Sequence, residues 1–413
     1  MMKWSNVLPR FSAFATLCVL CGFGISSQSL AAAVTWPEYW KRVESSSPAV
    51  KGLKTQADQI RSQVALPIAP PMFTVGSMGV NGPLSQVMEQ TYEISQKVPF
   101  PTRFGVSGSL KDQRVREKEL EVQTALLDLK QSLHGSFIEL TEVAASRDLI
   151  REKQNFFTGH LKRLRAYSIS DQVQQLHILE MEAEVKSLSG EIAQLDAQEK
   201  SIRLKLGSYL GERGTPFAEE PQLESIQLSS ASPRADLEKG SRLKMIRSKE
   251  ELAVQEQSVA KTGWLPDLSL TYRRRVRKDN VMDSSHEVMI GVELPFLFGW
   301  QASARSKEAS LKATEVQFES VQQHRALGAE LEAIQARLVA LQEQLKLMRN
   351  DILPNLEKRL HLLHRLAQTD TESLDLHRST YDQVVTGRLK NLKLESEYRK
   401  ELLALETLTG SIE

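Results

Sequence analysis

Cysteine is nearly missing from this chain: two occur in 413 residues, and both, Cys18 and Cys21, fall in an apolar leader. The remainder has no thiol, so disulfide staples, thiolate nucleophiles and cysteine-ligated metals are excluded there. Charge of one sign is missing too, because 53 basic and 52 acidic residues leave a net +1. Without a basic excess there is no electrostatic footprint for nucleic acid. Aromatics are only 6% of the chain against 25% charged residues, a balance that favours extended helices over a large aromatic-rich core. Ser-His-Asp order, Gly-rich phosphate loops and H-E-x-x-H pairs are also absent, so nothing in the sequence supports enzymatic work or a bound cofactor. Beyond Ile25 no apolar stretch is long enough for a transmembrane helix.

What is present begins with the leader. Lys3 and Arg10 precede an apolar run over residues 11–25, followed by Ser26, Ser27 and the small-residue run Leu30-Ala31-Ala32-Ala33. This is the layout of a secretory signal peptide, expected at residues 1–33 with cleavage between Ala31 and Ala33. The run is short for a membrane anchor. Lipid modification at Cys21 is the alternative, but Cys18-Val19-Leu20 before it lack the small residues such processing prefers. An exported chain without a membrane-spanning helix is either soluble or part of a β-barrel.

The rest is an internal duplication. Val98-Pro99-Phe100-Pro101 runs into Arg103-Phe104-Gly105 and a charged helical stretch; Leu294-Pro295-Phe296-Leu297 runs into Phe298-Gly299-Trp300 and another. The two prolines, Pro99 and Pro295, lie about 196 residues apart, a repeat of domain size. In each half a short amphipathic helix (residues 36–64 and 243–261) leads into a strand pair. Leu268, Leu270 and Tyr272 alternate with Ser269, Thr271 and Arg273, and Val288, Ile290, Val292 and Leu294 alternate with Met289, Gly291 and Glu293. Period two with one apolar and one polar face is what a barrel wall needs. In the first half Tyr92, Ile94 and Val98 show it, and residues 73–78 show it less cleanly.

After each hairpin comes a helical pattern longer than a globular helix. Leu331, Ile334, Leu338, Leu341, Leu345, Met348 and Ile352 recur in alternating steps of three and four, and Leu126, Leu133 and Leu140 keep a step of seven. Sustained heptads mean coiled coil, and the ~65 residues from 301 to 366 would reach roughly 100 Å. Polar turns fall at Tyr167-Ser168-Ile169-Ser170 and Gln368-Thr369-Asp370, with Asp171 and Thr371 as N-caps of the returning helices. The expected organisation is a first repeat at 34–210, a linker at 211–233 bearing Pro, Ser and Gly, and a second repeat at 234–413. The fold expected is mainly α with β: long antiparallel coiled-coil helices plus two β-hairpins. Four strands cannot close a barrel, for which about eight is the smallest common number; either subunits share one, or the strands form small sheets in a soluble protein.

These pieces resemble the outer-membrane efflux protein family, whose best-known member is TolC. The likeness rests on Leu265-Pro266-Asp267-Leu268 entering a strand, Leu294-Pro295-Phe296-Leu297-Phe298-Gly299 leaving one, and Ile352-Leu353-Pro354 inside a long helix. Pro354 is the most telling, because a mid-helix proline ordinarily costs about 3 kcal/mol. The resemblance implies a homotrimer whose subunits give four strands each to a twelve-stranded outer-membrane barrel on a periplasmic helical tunnel. It also implies outer-membrane lipid around the barrel, passive export of solute, a periplasmic adaptor gripping the tip, and an inner-membrane pump. It leaves metal-ion, multidrug and type I protein secretion branches unresolved. The family usually has Gly at its tip turns; here Ser168, Ile169, Ser170, Gln368 and Thr369 form the expected adaptor contact. Pro99, Pro295 and Pro354 are expected to be structural.

The family narrows its tunnel with acidic side chains on the returning helices. Aligning Leu176 with Leu376 puts His177 and His377 where Asp is common, and five of the eight histidines (His160, His177, His361, His364, His377) fall near a turn. His177, His377, Asp171, Asp370 and Asp375 are therefore entrance and gating candidates, responsive to protonation or a divalent cation; solvated or interface residues without function are the plainer alternative. The run Arg273-Arg274-Arg275-Val276-Arg277-Lys278 reads as one basic cluster, suited to anionic lipid headgroups or to an ordinary charged loop. The rival functions are a periplasmic adaptor, which normally carries one hairpin, and a soluble coiled-coil scaffold.

Overall fold

The computed structural model describes residues 33–62, 68–78, 89–167, 172–211, 216–223, 226, 237–277, 284–293, 299–366 and 371–410. In chain order these form β1 (Ala33–Thr35), α1 (Trp36–Ser46), α2 (Pro48–Arg61), β2 (Met72–Met78), β3 (Glu89–Val98), α3 (Pro101–Tyr167) and α4 (Gln172–Tyr209). Then follow β4 (Glu220–Gln222), α5 (Ser241–Lys261), β5 (Asp267–Arg277), β6 (Ser285–Glu293), α6 (Gly299–Leu347), a π turn (Met348–Ile352), α7 (Leu353–Leu366) and α8 (Thr371–Thr409). The duplication is visible in the lengths. The outgoing helix of the first half, α3, has 67 residues, and its counterpart is the run of α6, π turn and α7, of 49, 5 and 14 residues. The returning helices α4 and α8 have 38 and 39 residues.

The heptad leucines are the packing seams. Leu133 and Leu140 are fully buried on α3, and Ile334, Leu338, Leu345 and Met348 are buried along α6 and its π turn. Ile352 departs from the expected stripe and is 37% exposed. A π turn inserts an extra residue into the helical register, so the stripe rotates off its seam after Met348. This turn also accommodates Pro354, which sits near the start of α7 and would clash with the carbonyl four residues back in a regular helix.

Side by side, the helices form a layer that changes partners along its length. Nearest the sheet, α2 packs on α3, α3 on α5 and α5 on α6; farther away, α4 packs on α3, α3 on α8, and α8 on α6 and α7. Tyr39, Val43 and Val50 lock with Leu133, Phe137, Leu140 and Leu206 at the joint between these zones, each fully buried side chain contributing roughly 1.5–3 kcal/mol. The returning helices stop at the joint. Gly211 and Gly410 follow them with φ of 83° and 70°, the left-handed conformation that satisfies terminal carbonyls and that only glycine adopts cheaply. Gly240, which precedes α5, lies against the end of α8 so closely that a Cβ there would overlap the Leu408 carbonyl oxygen.

Two expectations, the single helix over 36–64 and the Thr371 cap, need correction. The helix expected over 36–64 is two helices, because Ser47 is extended ahead of Pro48, as a residue before proline prefers. Within the segment read as the linker, β4 pairs in parallel with β1, and Phe217 is buried beside α1. Thr371 opens α8 as a helical residue instead of capping it.

Candidate channel wall and helical tip

The two hairpins join into one antiparallel sheet of order β2-β3-β5-β6, with β3 and β5, from different repeats, as its centre. Register places Phe73, Val75, Tyr92, Ile94, Val98, Leu268, Leu270, Tyr272, Val288, Ile290 and Val292 on one face. Nothing described covers that face: Val288 and Ile290 are 69% and 76% exposed. The opposite face is polar. Arg273 donates to Glu93 at 2.8 Å and approaches Glu287 at 3.7 Å, while Arg275 reaches Glu287 at 3.3 Å and Glu89 at 3.9 Å. Among the described residues β2 and β6 each lack a strand on their outer edge.

The alternation dissolves the basic run as a single cluster. Arg273 and Arg275 belong to the polar face and its carboxylates, whereas Arg274 stands on the apolar face opposite Tyr92 and His286. Successive strand residues point to opposite faces, so adjacency in sequence separated the arginines in space. Lys278 lies outside the described residues.

At the far end, Ser168, Ile169, Ser170, Asp171, Gln368, Thr369 and Asp370 lie outside the described residues, and the helices flanking them carry the observable chemistry. His177 on α4 places Nδ1 3.4 Å from Asp375 of α8, both half-exposed. Arg378 of α8 reaches back to Glu184 of α4 at 3.0 Å and to Asp375 at 3.8 Å. His377 is buried instead, its ring 5.3 Å from Phe156 and 5.4 Å from His364. Burial lowers its pKa, helped by His364 and Arg163. The aligned histidines differ because α8 is flanked by α3 and α7, whereas α4 packs chiefly on α3 and meets α8 through half-exposed pairs such as His177–Asp375 and Glu184–Arg378. His160 is buried with Nε2 lacking a hydrogen bond, and desolvation pushes its pKa down to about 4. His361 lies 3.3 Å from Arg365 on its own helix. Among the described residues no three His, Cys, Asp or Glu side chains converge as a metal site.

No protein-family model and no curated protein matches the sequence. Solved structures do. One described by the conformational changes accompanying folding and transmembrane channel formation of CusC aligns with a TM-score of 0.72 at 14% identity, over 91% of both chains. The outer-membrane protein VceC of Vibrio cholerae aligns at 0.70 and 14%, over 91% of this chain and 96% of that one. The open-state MtrE outer-membrane channel of Neisseria gonorrhoeae aligns at 0.75 and 11%, over 91% and 88%. The chain has the TolC-like outer-membrane channel fold.

Within this TolC-like fold a residue that sequence reasoning passed over fixes the sheet to the helices. Arg103, in the first turn of α3, donates Nη1 to Asp267 at 2.6 Å, and its other nitrogens to the carbonyls of Thr262 at 2.9 and 3.1 Å and Leu265 at 2.7 Å. The start of one repeat's long helix thereby holds the approach to the other's hairpin. The only hint was the short distance from Pro99 to Arg103 in the repeated motif. Pro99 joins β3 to α3, and Pro295 lies outside the described residues. No described helix is long and apolar enough to cross a membrane; the sheet is a separate matter, since a barrel strand needs only alternate apolar residues.

Proposed function

We propose that this chain is one subunit of a homotrimeric outer-membrane channel, a passive conduit from periplasm to exterior within a tripartite efflux or type I secretion assembly. The carrying observation is the sheet: a bare apolar face, a polar face of paired charges, and two open edges, all at one end of helices roughly 100 Å long. In water such edges and such a patch invite aggregation. Lipid tolerates them only when the sheet closes on itself. Four strands are too few, so three copies supply twelve, with Arg273, Arg275 and their carboxylates facing the lumen. The flanking helices carry exposed apolar residues for neighbouring subunits, among them Leu176, Leu179 and Leu204 on α4 and Leu362 on α7.

The leader is then removed on export by cleavage between Ala31 and Ala33, and repeats 34–210 and 234–413 each contribute one hairpin and one helical pair. The tip residues Ser168, Ile169, Ser170, Gln368 and Thr369 contact a periplasmic adaptor that connects to an inner-membrane pump. His177, Asp171, Asp370 and Asp375 surround the closed entrance, where His177 and Asp375 lie 3.4 Å apart, and His377 stands behind them, buried against Phe156 and His364. The test is fractionation of the expressed chain followed by electrophoresis and planar-bilayer recording. A channel runs in the outer-membrane fraction as a heat-sensitive trimer and gives discrete conductance steps. A soluble periplasmic monomer that leaves bilayers silent overturns the reading.

A further inference from the structure

On the apolar face of the sheet, rows of residues follow one another along the strands. Val98, Leu268 and Val292 lie nearest the helices, then Gln96, Leu270 and Ile290, then Phe73, Ile94, Tyr272 and Val288, and then Val75, Tyr92, Arg274 and His286. The order runs from aliphatic to aromatic to cationic. Tyr272 and His286 are joined at 2.6 Å between the hydroxyl and Nδ1, and the Tyr92 hydroxyl donates to Gln90 at 2.9 Å. Apart from Gln96, whose amide donates to the Ala69 carbonyl at 2.6 Å near the helices, the polar atoms of these rows gather at the helix-distal margin of the face. Barrels place aromatic side chains at this level, where hydrocarbon gives way to headgroups.

Arg274 is the anomaly in that belt. Its sequence neighbours Arg273 and Arg275 are both matched with carboxylates across the polar face, yet Arg274 is exposed and has no side-chain partner among the described residues. A guanidinium amid hydrocarbon is unfavourable, and the penalty fades toward the interface. There the charge meets phosphate, which a planar guanidinium binds through two parallel N–H donors.

We propose that Arg274, flanked by Tyr92, Tyr272 and His286, is a binding site for the phosphate of an anionic lipid headgroup in the outer leaflet, repeated once per subunit around the barrel. The inference rests on the membrane-barrel reading above. Both tyrosine rings cover the acyl end of such a lipid, and Arg274 takes its phosphate. The polar-face arginines are already neutralised and are turned away from lipid.

The test uses the assembled channel in bilayer discs of phosphatidylcholine alone or with bis-phosphorylated lipid A. The readouts are co-purified lipid A by native mass spectrometry and the temperature at which the oligomer dissociates. Wild type is expected to retain lipid A and to dissociate at a higher temperature when it is present. Arg274→Gln is expected to retain about tenfold less and to lose the lipid-dependent rise; Arg274→Lys keeps part of it, and Arg275→Gln keeps lipid A retention. Wild type without preference for lipid A, or Arg274→Gln with undiminished retention, overturns the site while insertion and conductance leave the channel standing. Wild type that neither inserts nor conducts overturns the channel reading and the site with it.

Discussion

Single side chains carry much of the energy of the joint and of the tip. Glu199 is about one-tenth exposed and accepts from both Arg147 and Arg203, the latter at 2.8 Å; Arg203 also donates to the carbonyls of Phe217 and Glu219, each at 2.9 Å. Removing one partner from a buried ion network leaves uncompensated charge. Glu199→Ala is expected to lower stability by about 3 kcal/mol, read from denaturant unfolding in detergent, and Arg147→Ala by less because Arg203 still answers the carboxylate. The buried histidines set an acid limit. His134 stacks on Trp36 at 4.2 Å, and burial with Lys130 and Arg399 nearby pushes its pKa down to about 4, the same as His160. An imidazole that is neutral when folded but protonates near pH 6.5 when unfolded takes up protons on unfolding. Stability is therefore whole above about pH 6.5 and is lost as pH falls toward 4, on the order of 3 kcal/mol per ring. Melting curves between pH 7 and 4.5 should show a shallower acid decline for His160→Leu than for wild type; identical slopes would refute this. The histidine cluster near the turns was legible as a count along the chain. That His377 is enclosed while His177 meets Asp375 was not, because it depends on which returning helix lies between two others.

Elements were legible where their period is long and missed where they are short or locally irregular. The seams through Leu133 and Leu140 and through Ile334, Leu338 and Leu345 follow directly from a seven-residue recurrence. Strand parity likewise assigned Leu268, Leu270 and Tyr272 to one face. It could not say that β3 and β5 would pair, although Glu93 opposite Arg273 is a cross-strand charge match of the kind that favours such a register. Three-residue strands such as β1 and β4 carry no period at all. The π turn escaped notice since Pro354 signals a disturbance without its form. Opposite it, a Cβ on Gly387 of α8 would sit 3.0 Å from Leu353 and 3.5 Å from Leu356 of α7. A methyl there requires only a leucine tip to yield, whereas a branched side chain overpacks the crossing. Gly387→Ala is expected to stay within about 1 kcal/mol of wild type and Gly387→Val to lose roughly 1–3 kcal/mol, measured as the thermal midpoint by circular dichroism. Equal midpoints for the two variants would mean that the crossing is looser than its geometry.

For the whole molecule, the sign of one surface substitution separates a membrane wall from a soluble sheet. Ile290 is 76% exposed on the apolar face, and Met289 beside it points to the polar face at 36%. In a soluble protein a lysine at an exposed isoleucine changes stability by less than about 0.5 kcal/mol and removes a hydrophobic liability. In a barrel the same lysine is driven into hydrocarbon, at a cost of about 2–4 kcal/mol near the midplane, repeated around the ring for every copy. Lysine at Met289 instead joins the Arg273, Glu287 and Glu93 face, where water and carboxylates receive it. Ile290→Lys is thus expected to deplete the heat-sensitive oligomer from the outer-membrane fraction, with Met289→Lys assembling normally and altering only ion selectivity. The fractions and the bilayer currents of the two variants check this together. An Ile290→Lys protein that assembles, inserts and conducts like wild type would place that face in water, and the uncovered strands would then have to find their cover on some surface other than lipid.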